Sequence, residues 1–178
     1  MRALLLIDLQ EDFFDPPPLA ERRAEIAAGV RRWVDWARSR SLPVIEVRTV
    51  LPDDRTTWAL NMREDDQPVV LEGTPGAERI AELDFVPDLE ILKRRDDAFH
   101  GTDLLDRLHA LGVDELVIGG VATEACIAMT AASAYAHDLK VSIADGAVGS
   151  PDAEAHRQAL GWLEQQYRQR VVHPTDLD

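Results

Sequence analysis

The sequence predicts an α/β fold: a three-layer αβα sandwich around a mostly parallel, roughly six-stranded, doubly wound sheet, Rossmann-like in its winding. The first observation behind this is that short apolar runs alternate with longer amphipathic segments, the pattern of parallel strands joined by crossover helices. The second is size and composition. A chain of 178 residues, 46% of them hydrophobic, is long enough to bury one substantial core without disulfides or metals, so a single domain over residues 1–178 is expected. The third is that no repeat, low-complexity tract or linker divides the chain.

Taken in order, Arg2 to Ile7 is an apolar strand, and Leu19 to Ser39 carries apolar residues at helical spacing. Pro43 to Arg48 is the second strand. Val50 to Ala81 breaks the alternation with Pro52, Pro68, Gly73, Pro75 and Gly76, and reads as a long loop with a helical turn around Trp58 to Met62. Loops of that length in compact α/β domains serve as lids or interfaces. Leu89 to Leu92 is the third strand, and Thr102 to Leu111 a short amphipathic helix. Glu115 to Ile118 is the fourth strand, followed by the Ala-rich, buried helix Thr123 to His137. Lys140 to Ile143 precedes a helix over Asp152 to Gln169, with Pro151 in its first turn and Ser150 as its cap, and Arg170 to Val172 closes the sheet.

Composition removes several classes of function. Mean hydropathy is −0.21, ordinary for a soluble domain. A net charge of −14, with the acids dispersed, argues against a nucleic-acid partner and disfavours a strongly anionic substrate. One cysteine allows no internal disulfide, the run in MRALLLIDLQ is too short for a signal peptide, and no stretch is long enough to span a membrane. A cytoplasmic protein with no membrane contact is expected.

Doubly wound sheets bind ligands at the carboxyl ends of their strands, where the strand order reverses. Asp8 follows the first strand, Lys93 the third, and Cys126 opens the helix after the fourth. Each alone has an ordinary alternative: a loop-capping acid, a solvated lysine, a small buried hydrophobe. Together they are a base, a cation and a nucleophile. In LVIGGVATEACIAMTAASAYA an apolar strand runs into a Gly-containing turn, with Thr123 placed as N-cap and Cys126 in the first helical turn. The positive end of the helix is expected to lower the thiol pKa. Asp8 would take the thiol proton and return it to the leaving group, while Lys93 holds both anions. Backbone N–H groups of Ala122 and Cys126 would receive the oxyanion.

Three segments, LLLIDLQEDFF, KRRDDAFHGTDL and GGVATEACIAMTAASAYAHDLKVSIADGA, resemble in order and spacing the blocks of the isochorismatase-like cysteine hydrolases, a superfamily that includes nicotinamidases and N-carbamoylsarcosine amidohydrolases. The resemblance implies Asp8, Lys93 and Cys126 as a catalytic triad and a cis peptide between Val121 and Ala122. Asp97, Glu124 and Ser133 depart from residues common in that superfamily. Its nicotinamidases hold a metal with an Asp-x-His pair and another His after the second strand. Here RTVLPDDRTTWALNMREDDQPVV contains no histidine, and Asp53 with Asp54 suits only a weak hard-cation contact, so neither a metal nor another cofactor is expected.

Phe13, Phe14 and Trp58 are candidate pocket walls, and Gln10 a candidate partner for Asp8 or substrate. His100, in the lysine block, is a candidate pocket border. His109, His137, His156 and His173 share no ligand spacing and are assigned to surfaces or caps. The resemblance also implies a homodimer or homotetramer, with the segment Val50 to Ala81 covering its own or a neighbour's pocket. The leading expectation is a metal-independent hydrolase of a small amide or ureido compound acting through a thioester at Cys126. Vinyl-ether hydrolysis of the isochorismatase type and a non-catalytic interaction module are the alternatives.

Overall fold

The structure, a computed structural model, describes residues 1–177. Its six strands are β1 (Arg2–Ile7), β2 (Val44–Thr49), β3 (Leu89–Lys93), β4 (Glu115–Val121), β5 (Lys140–Gly149) and β6 (Val171–Val172). They pair in parallel throughout, in the order β3-β2-β1-β4-β5-β6, so the winding reverses between β1 and β4. The helices are α1 (Pro17–Ser39), α2 (Leu60–Asp65), α3 (Leu104–Ala110), α4 (Ala128–Ala136) and α5 (Ala153–Tyr167).

Side-chain alternation along the strands divides the core into two layers. Leu4 and Leu6 pack with Ile26, Val30 and Trp33 of α1. Ala3, Leu5 and Ile7 face the other way, onto Leu104 and Leu108 of α3, Ala131 of α4 and Leu163 of α5. Both layers are built on aliphatic, aromatic and small residues, so burial of apolar area drives helix to sheet on each side. Helix α1 sits close against β5: a Cβ on Gly29 would lie 1.8 Å from the carbonyl oxygen of Gly146. Only glycine permits that approach. Among the described residues no helix is long and apolar enough to cross a membrane.

The expected elements recur with shifted bounds. Strands β4 and β5 run three and six residues further than their apolar runs, to Val121 and Gly149: Gly119 and Gly120, which add little hydropathy signal, still pair with Leu6 and Ile7 of β1, and after a register shift Val148 and Gly149 pair with Gly120 and Val121. Lys93 ends β3 rather than following it. The cap of α5 is Asp152, whose carboxylate accepts from the N–H groups of Glu154 and Ala155, so Pro151 lies before the helix. Ser150 instead accepts from Asp152 N at 2.9 Å and holds the chain just upstream.

The irregular stretch after β2 folds back on itself. Leu51, Trp58, Val70 and Ala77 form a small third apolar cluster. The helical turn lies at Leu60–Asp65, slightly beyond the expected position, and a lone bridge joins Leu51 to Leu71.

Candidate active site

The period of two along β2 and β3 sends Thr49 to the same face as Ile45 and Val47, and Lys93 to the same face as Ile91, toward the layer that holds Cys126. Strict alternation would send Asp8 the other way, with Leu4 and Leu6. Instead its backbone is left-handed, φ 55°, and its carboxylate turns to the same place. A non-glycine residue in this region is uncommon and costs about 1–3 kcal/mol, which the surrounding contacts must offset. Those contacts are dense. Asp8 Oδ1 accepts from Thr49 N at 3.0 Å and from Thr49 Oγ1 at 2.8 Å. Asp8 Oδ2 lies 2.8 Å from Lys93 Nζ and has no hydrogen bond from elsewhere. Lys93 Nζ also donates to Thr49 Oγ1 at 2.8 Å, to Arg95 O at 3.0 Å and to Cys126 Sγ at 3.4 Å.

One ammonium therefore touches the carboxylate and the thiol together. Lys93 and Asp8 are 1% and 0% exposed, a burial tolerable only because each charge meets the other and further polar groups. Burial pulls the Lys93 pKa down, but the Asp8 charge beside it and its contact with Cys126 Sγ together outweigh burial and hold the ammonium on. For Cys126 the result departs from the sequence expectation. Burial pushes the thiol pKa well up, the Asp8 carboxylate pushes it further, and Lys93 opposes both only in part. The shift favours the protonated thiol, and Asp8 is the group beside it that can take the proton.

The turn carrying Cys126 also differs from expectation. Thr123 is not its cap: Ala122 is, without a side-chain hydrogen bond, and Thr123–Ile127 forms a π turn in which Ile127 N donates to Ala122 O at 3.2 Å. Thr123 is buried and donates through its hydroxyl to Gly149 O at 2.9 Å, so the strand end competes successfully for the group that would have capped the helix. His156 Nδ1 lies 2.8 Å from the same hydroxyl. Gly149 O can only accept, which leaves Nδ1 as the donor to Thr123. His156 was assigned to a surface or cap; it is half-buried and braces this turn. Burial, then the Arg22 charge, hold its pKa below the usual histidine value, against Glu124.

Immediately before the turn, the Val121–Ala122 peptide is cis, as the resemblance implied. Gly120 has φ 127°, and a Cβ there would meet Ile7 O at 1.9 Å. The end of β4 thus lies directly against the residue that precedes Asp8.

A cavity of about 170 Å³ opens onto Cys126. Phe13, Thr49, Leu51, Met62 and Val70 line it, with Arg94, Arg95 and Asp96 on its polar side. Of the four pocket residues named from sequence, only Phe13 reaches it. Phe14 is 2% exposed and packs in the α1 layer. Trp58 is buried in the small third cluster, its indole N–H donated to Pro52 O at 2.9 Å. Gln10 bonds neither Asp8 nor open space: its amide donates to Thr49 O and Ala77 O, each at 2.8 Å, and accepts from Thr49 N at 2.9 Å. His100 lines two neighbouring clefts rather than this cavity. The irregular segment supplies wall residues to the cavity of its own chain.

A nicotinamidase-type metal does not fit. Among the described residues no group of three His, Cys, Asp or Glu side chains comes close enough to hold an ion. Asp54 is instead turned back to Thr56 N and Oγ1, at 3.0 and 2.6 Å.

The isochorismatase domain profile matches residues 2–177. The chain belongs to the isochorismatase family. A probable inactive nicotinamidase of Arabidopsis thaliana is 34% identical over 165 residues, covering 86% of this chain and 83% of the relative. The phenazine biosynthesis protein PhzD1 of Pseudomonas aeruginosa is 30% identical over 171 residues, covering 89% and 77%. Among solved structures, an isochorismatase family protein from Desulfovibrio vulgaris superposes with a TM-score of 0.88 at 26% identity, covering 99% of this chain and 96% of that one. Within this family member, sequence reasoning passed over Thr49 and Asp96. The strand-end rule applied to β2 would have found Thr49; Asp96 gave no signal apart from its place near Lys93.

Proposed function

We propose that this family member is a cysteine hydrolase that cleaves the carbon–nitrogen bond of a small amide or ureido compound without a metal. The observation that supports it most is the single ammonium of Lys93 lying 2.8 Å from Asp8 and 3.4 Å from Cys126 at the wall of a small cavity. Asp8 takes the thiol proton, and the sulphur attacks the carbonyl carbon as the carbonyl electrons move to oxygen. The backbone N–H groups of Ala122 and Cys126 receive that oxyanion. On collapse the C–N bond breaks, the nitrogen leaves with the proton Asp8 returns, and a thioester remains. Water then adds with Asp8 as base, the C–S bond breaks, and the thiolate is reprotonated.

The raised thiol pKa fits this order of events, since a base is needed only where the thiol does not ionise unaided. The relative described as inactive contributes family membership, not activity, so the proposal rests on this chain's own contacts. Vinyl-ether hydrolysis needs a proton donor and no nucleophilic sulphur, which would leave the buried Lys93 to Cys126 contact without use. The test is a screen of small primary amides and ureides with intact-mass detection of an acyl adduct on Cys126. Loss of both turnover and adduct in Cys126→Ala is expected; full turnover in that variant would overturn the proposal.

A further inference from the structure

A second carboxylate stands beside the thiol. Asp96 Oδ1 lies 3.9 Å from Cys126 Sγ, the only hydrogen-bond partner of that side chain among the described residues. Asp96 is exposed where Asp8 is fully buried, so the sulphur has one acid open to solvent and one enclosed in the core. It lies where the cavity over Cys126 joins a cleft of about 400 Å³ that also reaches His100 and Met129.

Its position is set rather than incidental. Lys93 Nζ holds the carbonyl of the preceding residue, Arg95, at 3.0 Å. Thr130 of α4 donates to Asp96 O at 3.4 Å and accepts from Ala98 N at 3.0 Å. The catalytic ammonium and the helix following the nucleophile therefore fix the same short segment. In this place a carboxylate whose one partner is the thiol itself is adverse to the nucleophile: it disfavours the thiolate and the oxyanion that follows. The disadvantage disappears when the substrate brings a hydrogen-bond donor to that spot, and the scissile group of an amide has one on its nitrogen.

We propose that Asp96 accepts a hydrogen bond from the N–H of the scissile amide, making the site selective for primary carboxamides and terminal ureides over esters of the same acid. This rests on the hydrolase reading above. With the carbonyl carbon over Sγ, the nitrogen lies between Asp8 and Asp96. The C–S bond forms and the C–N bond breaks. Asp8 delivers the former thiol proton to the nitrogen, and ammonia departs with the N–H that Asp96 holds. As the nitrogen gains positive character its N–H becomes a stronger donor, so the contact strengthens toward the transition state and acts on rate as well as binding. An ester oxygen offers no donor and leaves the carboxylate unpaired beside its lone pairs.

The test uses Asp96→Leu, which keeps the side-chain shape without an acceptor, and Asp96→Asn, which keeps one uncharged acceptor. Two readouts are taken: kcat/KM for a primary amide and the methyl ester of the same acid, and the alkylation rate of Cys126 by chloroacetamide and by methyl chloroacetate. In Asp96→Leu both amide rates should fall about tenfold or more, the size expected for one hydrogen bond to a charged group, while both ester rates hold or rise. Asp96→Asn should recover part of the amide rate. Equal changes for amide and ester, or no loss for the amide, would overturn the proposal. Alkylation needs no turnover: selective alkylation in a protein that hydrolyses no amide would sink the hydrolase reading and leave the Asp96 contact standing.

Discussion

Replacing Thr49 with valine removes one hydroxyl from the centre of the site and little else. That hydroxyl donates to Asp8 Oδ1 and accepts from Lys93 Nζ, both at 2.8 Å, so two charge-assisted bonds disappear with it. Each is worth about 1.5–3 kcal/mol when buried. Both charges keep other partners: Asp8 retains Thr49 N, while Lys93 retains Asp8 Oδ2 and Arg95 O. The net cost should therefore lie near the lower bound, about 3 kcal/mol, which for a chain of this length lowers Tm by roughly 6–12 °C. Asp8 is also freed to swing, so kcat should fall roughly 10- to 100-fold, part of what a well-placed general base supplies. Thermal unfolding and steady-state kinetics check both effects, with Thr49→Ser as the control that keeps the hydroxyl. The reasoning is refuted if valine leaves Tm and kcat near the parent values, or if serine is as damaging as valine.

Gly120→Ala should cost about 4 kcal/mol or more, because its Cβ would enter the Ile7 carbonyl at 1.9 Å on a backbone at φ 127°; soluble yield and melting report it. Stability should decline with alkali. Cys126 and Lys93 both have folded-state pKa values raised above their ordinary 9.0 and 10.5, so each stabilises fully below that value and the contribution is lost as pH rises through the folded one. Cys126→Ala should flatten the part of a denaturant-midpoint profile that begins near pH 9.0. Dialysis against a chelator should leave the hydrolysis rate of any accepted amide unchanged, and a loss restored by added zinc or iron would contradict the metal-free mechanism.

Much of the fold was legible because its strands are apolar runs and its helices carry apolar residues at their own period. What escaped was written in residues whose signal is weak or ambiguous. Gly119 and Gly120 extend β4 through pairing alone. Asp tolerates a left-handed backbone better than most residues, but the contacts with Thr49 and Lys93 that accompany it at Asp8 come from far away in sequence. The strand-end rule located Asp8, Lys93 and Cys126 because position along a strand is enough for that. It misjudged Thr123, whose hydroxyl had two candidate uses, an N-cap and the Gly149 carbonyl, with only tertiary structure to choose between them. It misjudged the thiol because a helix start argues for ionisation, whereas burial and a neighbouring carboxylate, visible only after folding, argue more strongly against it.

Gln10 has a consequence for how such a protein can change its substrate. Its side-chain amide ties Thr49 O to Ala77 O, one carbonyl on each side of the segment that walls the cavity. The two ends of the segment are thus tied through Gln10, with Arg48 Nη1 donating to the same Ala77 carbonyl at 3.3 Å and Asp12 Oδ2 accepting from Val70 N within the segment. The wall residues Leu51 and Val70 also pack the third apolar cluster, so a homologous segment exchanged for this one must keep that packing as well as close at the same two carbonyls. A segment that misses either carbonyl would disturb Thr49, and with it the Asp8 carboxylate that its N–H and hydroxyl hold, so a change in the cavity wall reaches the buried charge pair through the Gln10 amide.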